Sequence, residues 1–345
     1  MIKRFRPVSI ALAAALLAVT AAGCSSSDDG GGASGGDSSG GGAKDKVSYV
    51  TAFGAVGRDS FVWVAKEKGY FAEAGIEIDI QKGAGNVQNL TLLKTDGVQF
   101  AALDFTGAEI QAGNGKFADW RAVAAVHQRT LVSIMTTNDT KITKPSDLAG
   151  KTVATGKGSV SELLFPAYAK AAGLDPATVK IQGAQPTALN GLMAKRQVDA
   201  LSTFLLSKTA LANVSKKEVV VMPYSDYLGD LFGNAIITKP SLIASDRDLV
   251  QRFVGAAMKG LQYTIEHPEE AAQILNKAEP TALVPAAIGE INAMKPYVTP
   301  PNAGPIGYLE EERVTKSIAA IQAAGLMPSG LTPDKVVDFS FIKKS

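Results

Sequence analysis

The stretch IEIDIQKGAGNVQNLTLLKTDGVQFAALDF, residues 76–105, carries the pattern that decides the fold. Its opening segment, Ile76–Gln81, alternates apolar and polar side chains, as a half-buried strand does. A glycine turn at residues 83–85 leads into a helical segment that runs to Leu93, and the apolar run Val98–Leu103 is typical of a buried strand. We therefore predict a strand, a helix and a second strand here.

The preceding residues extend this pattern. Val47–Ala52 is typical of a strand and Ser60–Lys68 of a helix, with Asp59 as its N-cap and Gly69 at its end. Strand, helix, strand, helix and strand in this order predict an α/β fold built on a doubly wound parallel sheet.

A similar order of elements recurs further along the chain. A strand at Thr178–Gln182, a turn at Gly183 and a helix at Thr187–Lys195 repeat it. The last strand ends in Asp104-Phe105 in the first copy and in Thr203-Phe204 in the second. The repetition suggests two α/β lobes, with chance recurrence of strand–helix patterns as the alternative. A strand and then mostly helices follow, at Ala235–Thr238, Leu249–Glu266, from Pro268 onward and at Glu310–Ala324.

The single cysteine, Cys24, stands where a bacterial lipoprotein signal has its lipid acceptor. A basic start, an apolar stretch from Val8 to Ala22 and the small residues Ala21-Ala22-Gly23 precede it, in the order of a secretory signal. We predict a signal peptide at 1–23 and a lipid-anchored Gly/Ser-rich linker at 24–45. The linker would tether the folded body to the extracytoplasmic face of the cell membrane. An ordinary signal peptide with a chance cysteine is the alternative.

Charge and composition exclude some classes of protein. The formal net charge is +2, and removing the three positive charges of the signal leaves about −1. A nucleic-acid-binding protein usually has a basic patch, which this charge balance does not suggest. No nucleic-acid partner is therefore expected. The chain is 46% hydrophobic, enough for a large core, and the length of the folded body predicts roughly two domains.

Six motifs of the folded body are informative together. They are FVWVAKEKGYF (61–71), EAGI (73–76), PSDLAGKTV (145–153), VDA (198–200), FVGA (253–256) and HPEEA (267–271). In this order and spacing they resemble the solute-binding proteins of ABC importers, in the branch for sulfonates, taurine, nitrate and thiamine-pyrimidine precursors.

The resemblance implies a two-lobed, type II periplasmic-binding-protein-like fold with a ligand cleft between the lobes. Lobe 1 would comprise 46–134 and 236–345, and lobe 2 would comprise 135–235, with crossovers near Leu131–Met135 and Asn234–Ile237. The resemblance also implies a monomer that closes on a small-molecule ligand by a hinge motion and docks on an ABC permease with its ATPase. Neither enzymatic activity nor a cofactor is implied.

Ligands of α/β sheets bind beyond the carboxyl ends of the strands, which selects the loops after the predicted strands. Phe53, Phe105 and Phe204 could present faces to a planar ring, which favours a pyrimidine precursor or another heteroaromatic solute. The turn Gly156–Ser161 suits an anionic group, and Arg58 suits a carboxylate, a sulfonate or a ring oxygen, so a sulfonate-, taurine- or nitrate-type anion comes next. The predicted ligand-binding residues are Phe53, Arg58, Asp59, Asp104, Phe105, Thr106, Gly158, Ser159, Ser161, Thr203, Phe204 and Tyr224.

Enzyme motifs are incomplete in this chain. GAGNVQ (83–88) lacks the third glycine of a dinucleotide fingerprint, and with Cys24 assigned to lipid, His127 and His267 form no Cys/His metal set. Two alternatives stay open. One is an enzyme that resembles the thiamine-pyrimidine synthases, whose cysteine-rich active-site motif is absent here. The other is a lipoprotein that binds a protein and no small ligand.

Replacement of the predicted lipid acceptor tests the anchor. Cys24→Ser removes the thiol that would carry the lipid, so we expect this variant to leave the membrane fraction in which the unaltered chain is found. Ultracentrifugation of lysed cells followed by immunoblotting measures the distribution. Ser25→Ala is the matched control and should keep its membrane association. A Cys24→Ser variant that stays with the membrane contradicts the anchor.

Overall fold

The computed structural model describes residues 44–300 and 304–344, and these form two five-stranded sheets with packed helices. The predicted signal peptide, Cys24 and the linker as far as residue 43 lie outside the described residues. Among the helices described, none is long and apolar enough to span a bilayer.

Strands and helices alternate along much of the described chain. The strands β1 to β10 are Asp45–Val50, Ile76–Gln81, Phe100–Asp104, Arg121–Ala125, Val132–Thr137, Thr152–Gly156, Lys180–Ala184, Ala200–Phe204, Val219–Pro223 and Asn234–Thr238. The helices α1 to α12 are Phe61–Glu67, Tyr70–Glu73, Asn86–Lys94, Phe105–Gly113, Val160–Ala171, Leu189–Ala194, Lys208–Ser215, Pro240–Ser245, Arg247–Glu266, Pro268–Ala278, Val284–Val298 and Glu311–Ala323.

Both sheets are mixed. The strand order is β2-β1-β3-β10-β4 in the first sheet and β7-β6-β8-β5-β9 in the second. β1 pairs in parallel with β2 and β3, and β6 with β7 and β8. By contrast, β10 runs antiparallel to β3 and β4, and β5 runs antiparallel to β8 and β9.

The antiparallel strands are those with which the chain enters each sheet from the other one. The prediction of an α/β fold with two lobes is therefore confirmed. The prediction of a doubly wound parallel sheet is wrong for β5 and β10, because a chain that crosses back enters its sheet from the opposite end. The lobe boundaries at 134/135 and 235/236 stay a prediction, and they fall within β5 and β10.

The stretch 76–105 forms the predicted elements β2, α3 and β3, and one further element starts at its end. Phe105 opens α4, which the sequence pattern did not reveal. All residues from 101 to 110 are buried, so the start of this helix has no solvent-exposed face that would produce the usual helical alternation of apolar and polar residues.

The strand predicted at Thr178–Gln182 lies two residues later in the structure, as β7 at Lys180–Ala184. β7 extends through Gly183, for which we predicted a turn, and ends at Ala184, which pairs with Gly156 of β6. The glycine continues the strand because the backbone pairing with β6 continues past it. The turn comes later, at Pro186–Ala188.

Helix α9 covers one face of the first sheet. The Asp246 side chain caps its N-terminus by accepting a hydrogen bond from the Leu249 backbone N–H at 3.0 Å. Its inner face buries Phe253, whose ring stacks on that of Phe100 in β3 with the ring centroids 3.8 Å apart. Burial of such an apolar face supplies most of the stability of a helix in a folded protein.

Two segments that connect the sheets lie side by side. The Val126 N–H donates to the carbonyl oxygen of Asn234 at 2.7 Å, and the Thr130 N–H donates to that of Leu231 at 2.7 Å. These segments follow β4 and precede β10, so both begin at the same edge of the first sheet.

The Arg313 side chain of α12 joins these connecting segments. Its Nη2 donates to the carbonyl oxygen of Gln128 at 2.5 Å and its Nη1 to the Gln128 Oε1 at 3.0 Å. The guanidinium also lies 4.3 Å from the centroid of the Phe232 ring. One buried cation thus contacts both connections and fixes them to the C-terminal helix.

Phe105 belongs to the hydrophobic core, which corrects its prediction as a ligand-binding residue. Its side chain is fully buried, and its ring packs edge-to-face against Trp120 and Phe232, with centroids 6.0 and 5.8 Å apart. The reason is that the chain turns into α4 at this residue, which directs the side chain into the core of the first lobe.

Truncation of Phe105 should therefore destabilise the protein. Phe105→Ala leaves a cavity between two aromatic rings, and we expect the free energy of unfolding to fall by about 3–5 kcal/mol. Urea unfolding followed by tryptophan fluorescence measures the change. Phe53→Ala is the matched control, because Phe53 is 49% exposed and its loss should cost less than about 0.5 kcal/mol. Equal stabilities of the two variants would contradict the core assignment.

Candidate functional site

The candidate site lies where three strands of the first sheet end. β1, β3 and β4 run in the same direction, so their carboxyl ends meet at one edge, and β10 begins at that edge. Loops at such an edge are the usual place for ligands of α/β sheets. The polar residues there are Arg58 and Asp59 after β1, Asp104 at the end of β3, His127 after β4, and Asn234 opposite Asp104 in β10.

Arg58 is a buried cation with free hydrogen-bond donors. It is 8% exposed, and its Nε donates to the Oδ2 of Asp59 at 3.2 Å. Neither of its Nη groups donates to another described residue. Its guanidinium lies 5.5 Å from the ring centroid of Phe204, at the end of β8 in the second sheet. The side chain therefore reaches from one lobe to the other.

Asp59 and Glu290 hold the turn that carries Arg58. The Asp59 Oδ1 accepts a hydrogen bond from the Ala52 N–H at 3.1 Å, and the Glu290 Oε2 accepts one from the Gly57 N–H at 2.6 Å. Burial raises the pKa of both carboxyl groups, and the Arg58 charge partly offsets that rise. Asp59 thus supports the guanidinium, and its own oxygens are engaged within the protein.

Asp104 has one engaged and one free carboxyl oxygen. It is the N-cap of α4, where its Oδ1 accepts a hydrogen bond from the Gly107 N–H at 2.8 Å. The Oδ2 is buried and has no hydrogen-bond partner among the described residues. Burial raises the pKa of Asp104 to about 7, although the Gly107 N–H and the Arg58 charge act to lower it. Asn86 holds the backbone in place, since its Nδ2 donates to the Asp104 carbonyl oxygen at 2.7 Å.

His127 is buried and neutral. Burial lowers its pKa to about 3, and the positive charge of Arg58 acts in the same direction. The Asn234 backbone N–H donates to its Nδ1 at 3.2 Å, which assigns the ring proton to Nε2. That Nε2 has no acceptor among the described residues. Asn234 is 4% exposed, and its side-chain amide forms no hydrogen bond with another described residue.

We predicted that the turn Gly156–Ser161 in the second lobe suits an anionic group, but groups of the chain itself engage its hydrogen-bond donors. The Gly158 N–H donates to the carboxylate of Glu162, so an acidic side chain of the chain itself already occupies this donor. Ser159 caps α5, and its hydroxyl and that of Ser161 lie 2.8 Å apart and hydrogen-bond to each other. These groups satisfy one another, and the glutamate would repel an anion.

Two more predicted residues have structural partners. Thr106 is fully buried, and its hydroxyl donates to the carbonyl oxygen of Phe232 at 2.9 Å. Tyr224 stacks on Tyr168 with centroids 4.0 Å apart, and its hydroxyl bonds to that of Ser202 at 2.8 Å. We therefore assign both side chains to packing rather than to ligand contact.

Phe53, Thr203 and Phe204 are the remaining members of the predicted set, and all three are accessible. Phe53 is 49% exposed, and the other two are half-buried. The aromatic faces available to a ligand thus come from Phe53 in one lobe and Phe204 in the other.

Sequence reasoning did not include Glu290, Asn234 or His127 among the predicted ligand-binding residues. Glu290 lies 233 residues from the Gly57 that it contacts, and no local pattern marks it. Asn234 could have been recognised from its position at the start of a strand that returns to the first sheet. In residues 44–300 and 304–344, no group of three or more His, Cys, Asp and Glu side chains is placed to hold a metal ion.

Comparison with known proteins identifies similar sequences and folds. A family model described as NMT1/THI5 like matches residues 60–271. The riboflavin-binding protein RibY of Chloroflexus aurantiacus is 24% identical over 294 residues, 81% of each chain. The formylaminopyrimidine-binding protein of Halalkalibacterium halodurans is 24% identical over 217 residues, 63% of this chain and 65% of that protein. The crystal structure of the periplasmic aliphatic sulphonate binding protein SsuA from Escherichia coli has the same fold, with a TM-score of 0.69 at 15% identity over 87% of this chain and 92% of that one.

Burial of Asp104 makes stability depend on pH. Its pKa is about 7 in the folded chain and about 4 in an unfolded one, so the folded state binds more protons between these values. The contribution of this group to the free energy of unfolding therefore falls as the pH rises from about 4 to about 7. Asp104→Asn removes this titrating group. Between about pH 4 and pH 7, we therefore expect the free energy of unfolding of the variant to rise relative to that of the unaltered chain, by up to roughly 1.4 kcal/mol per pH unit.

Urea unfolding at several pH values measures this difference. His127 contributes the opposite slope to both proteins, because its lowered pKa makes the folded state bind fewer protons. Because both proteins contain His127, its contribution cancels when their free energies of unfolding are subtracted. Asp119→Asn, which removes an exposed carboxyl group outside the site, is the control for whether the effect is specific to Asp104. A pH-independent difference for Asp104→Asn would contradict the buried state of the carboxyl group.

Proposed function

Since this chain belongs to the NMT1/THI5-like family, we propose that it is a solute-binding protein of an ABC importer. It captures a small organic molecule between its two lobes and delivers it to a permease. One observation carries the proposal. Arg58, Asp104 and His127 have polar atoms without described partners at the sheet edge where α/β proteins bind their ligands.

A planar heteroaromatic solute is the favoured ligand. Two relatives bind riboflavin and formylaminopyrimidine, as their names state. In this chain, the aromatic rings of Phe53 and Phe204 offer faces for stacking, and the strand-end polar groups offer hydrogen bonds to the ring edge. A sulfonate-, taurine- or nitrate-type anion is the second candidate, and the free donors of Arg58 favour it.

Capture requires the lobes to open and close. The proposed hinge consists of the connecting segments at residues 126–130 and 231–234. These are the two hydrogen-bonded stretches of chain that run between the sheets. The contact between Arg58 and Phe204 joins the lobes at the site and would be remade around a ligand. Lobe 1 would carry the first sheet and lobe 2 the second.

The proposed location is the extracytoplasmic face of the cell membrane. Cys24 would carry the lipid, and the Gly/Ser-rich linker would give the folded body the reach to meet a permease. The energy for transport comes from the ATPase of that importer. The binding protein works as a monomer and contributes specificity without a chemical step.

A thermal-shift panel tests the proposed function. The compounds are pyrimidines, flavins, alkanesulfonates, taurine and nitrate. A ligand at about a hundred times its Kd adds roughly 2.7 kcal/mol to the free energy of unfolding, which should raise the melting temperature by several degrees. We expect a shift with one chemical class, the heterocycles first. Arg58→Met should lose that shift, whereas the distant Arg196→Met should keep it. Absence of a shift with every compound would contradict the proposal.

A further inference from the structure

The helix α11, Val284–Val298, contacts both lobes and one of the connecting segments. In the first lobe it lies beside the turn that carries Arg58. In the second lobe it lies beside α7 and the turn Leu205–Ser207, which both come between β8 and β9 of the second sheet. A helix in this position can determine how the lobes sit on each other, provided that it is itself held in place.

The middle of α11 is held by the first lobe. The Glu290 Oε2 accepts a hydrogen bond from the Gly57 N–H at 2.6 Å. Gly57 also approaches the helix very closely, because a Cβ at this position would lie only 2.8 Å from the Cα of Ala287. The turn beside Arg58 and the helix are thus packed backbone against backbone, with no side chain between them.

The C-terminal end of α11 is held by the first connecting segment. The Gln128 N–H donates to the carbonyl oxygen of Tyr297 at 2.6 Å, and the Arg129 Nη2 donates to that of Pro296 at 3.0 Å. The Arg129 guanidinium also lies 4.9 Å from the centroid of the Tyr297 ring. The last carbonyl groups of a helix have no partner within the helix, and the connecting segment supplies partners here.

Apolar side chains of the second lobe are buried near this helix. Leu205 and Leu206, which follow β8, are only 6% and 8% exposed. They lie in the same hydrophobic cluster as Ile291 and Met294 of α11, and most of that cluster is core of the first lobe. Removal of apolar surface from water stabilises such a contact between the lobes, and it does so without a ligand.

Gly289 permits the close contact between α11 and α7. A Cβ at this position would lie 2.8 Å from the Oγ1 of Thr209 in α7, whereas ordinary van der Waals contact begins at 3.4 Å. The next residue, Glu290, holds the first lobe, so adjacent residues of the helix contact different lobes. Gly289 is about 12 Å along the helix axis from Tyr297 at the connecting segment. A tilt of the second lobe about the connecting segments would therefore change the contact at Gly289.

We infer that α11 is the seat on which the second lobe rests when the lobes are together, and that the lack of a side chain at Gly289 sets how near they approach. The first lobe and the connecting segment hold the helix, and Leu205 and Leu206 bury the second lobe against it. A side chain at position 289 would act as a wedge and keep the lobes apart. The inference concerns the position of the lobes and requires no particular ligand.

Pulsed electron paramagnetic resonance on the whole 345-residue chain in detergent tests the inference. Nitroxide labels on the exposed positions Lys66→Cys in α1 and Lys170→Cys in α5 report the distance between the lobes. Cys24→Ser removes the single native cysteine in every sample. Gly289→Leu should lengthen the mean distance between the labels, and Gly289→Ala should lengthen it by less, because its side chain is smaller.

Two further variants show whether the volume at this contact is the cause. Gly255→Leu in α9 is the matched control, because a Cβ at Gly255 would have no atom within 4 Å, and it should leave the distance unchanged. It carries the same gain in helix propensity as Gly289→Leu. Thr209→Ala added to Gly289→Ala should restore the original distance, since the nearest atom of residue 209 is then its Cβ, at 3.5 Å. Thermal unfolding verifies that each variant is folded.

Three outcomes would overturn the inference. They are an unchanged distance in the folded Gly289 variants, an equal increase in Gly255→Leu, and an increase in Gly289→Ala that persists when Thr209→Ala is added. The measurement contains no ligand, so its failure leaves the proposed function untouched, and the thermal-shift panel tests that function separately.

Discussion

The antiparallel pairing of the two connecting segments, residues 126–130 and 231–234, constrains the rest of the structure. It joins the end of β4 to the start of β10 through backbone hydrogen bonds, and Arg313 fixes the pair to α12. Because both connections adjoin one edge of the first sheet, the groups that follow β1, β3 and β4 gather beside them.

Burial of charge is the second determinant of the site. A guanidinium that has left water needs an opposite charge and hydrogen bonds, and removing either partner of such a pair is strongly destabilising. Asp59 provides the charge for Arg58, and backbone N–H groups hold the oxygens of Asp59 and Glu290. The guanidinium is therefore held in one position by groups of the protein itself.

Ligand specificity in such a protein depends on a few side chains, since the fold by itself is compatible with many ligands. A sequence relative of this chain is named for riboflavin, and a solved structure of the same fold is named for aliphatic sulphonates. In this chain the second-lobe turn that would suit an anion is occupied by Glu162.

The sequence by itself determined many of the strands and helices, the two α/β units and the family, because alternation, turns and motifs are local properties of the chain. It also placed Arg58 and Asp104 after strands, where ligands bind. Only the tertiary structure decided which strand-end side chains face the core, as Phe105 does, and which distant residues join the site, as Glu290 does. The reason is that periodicity reports which elements form, whereas the direction of a loop side chain and its partners depend on how those elements pack.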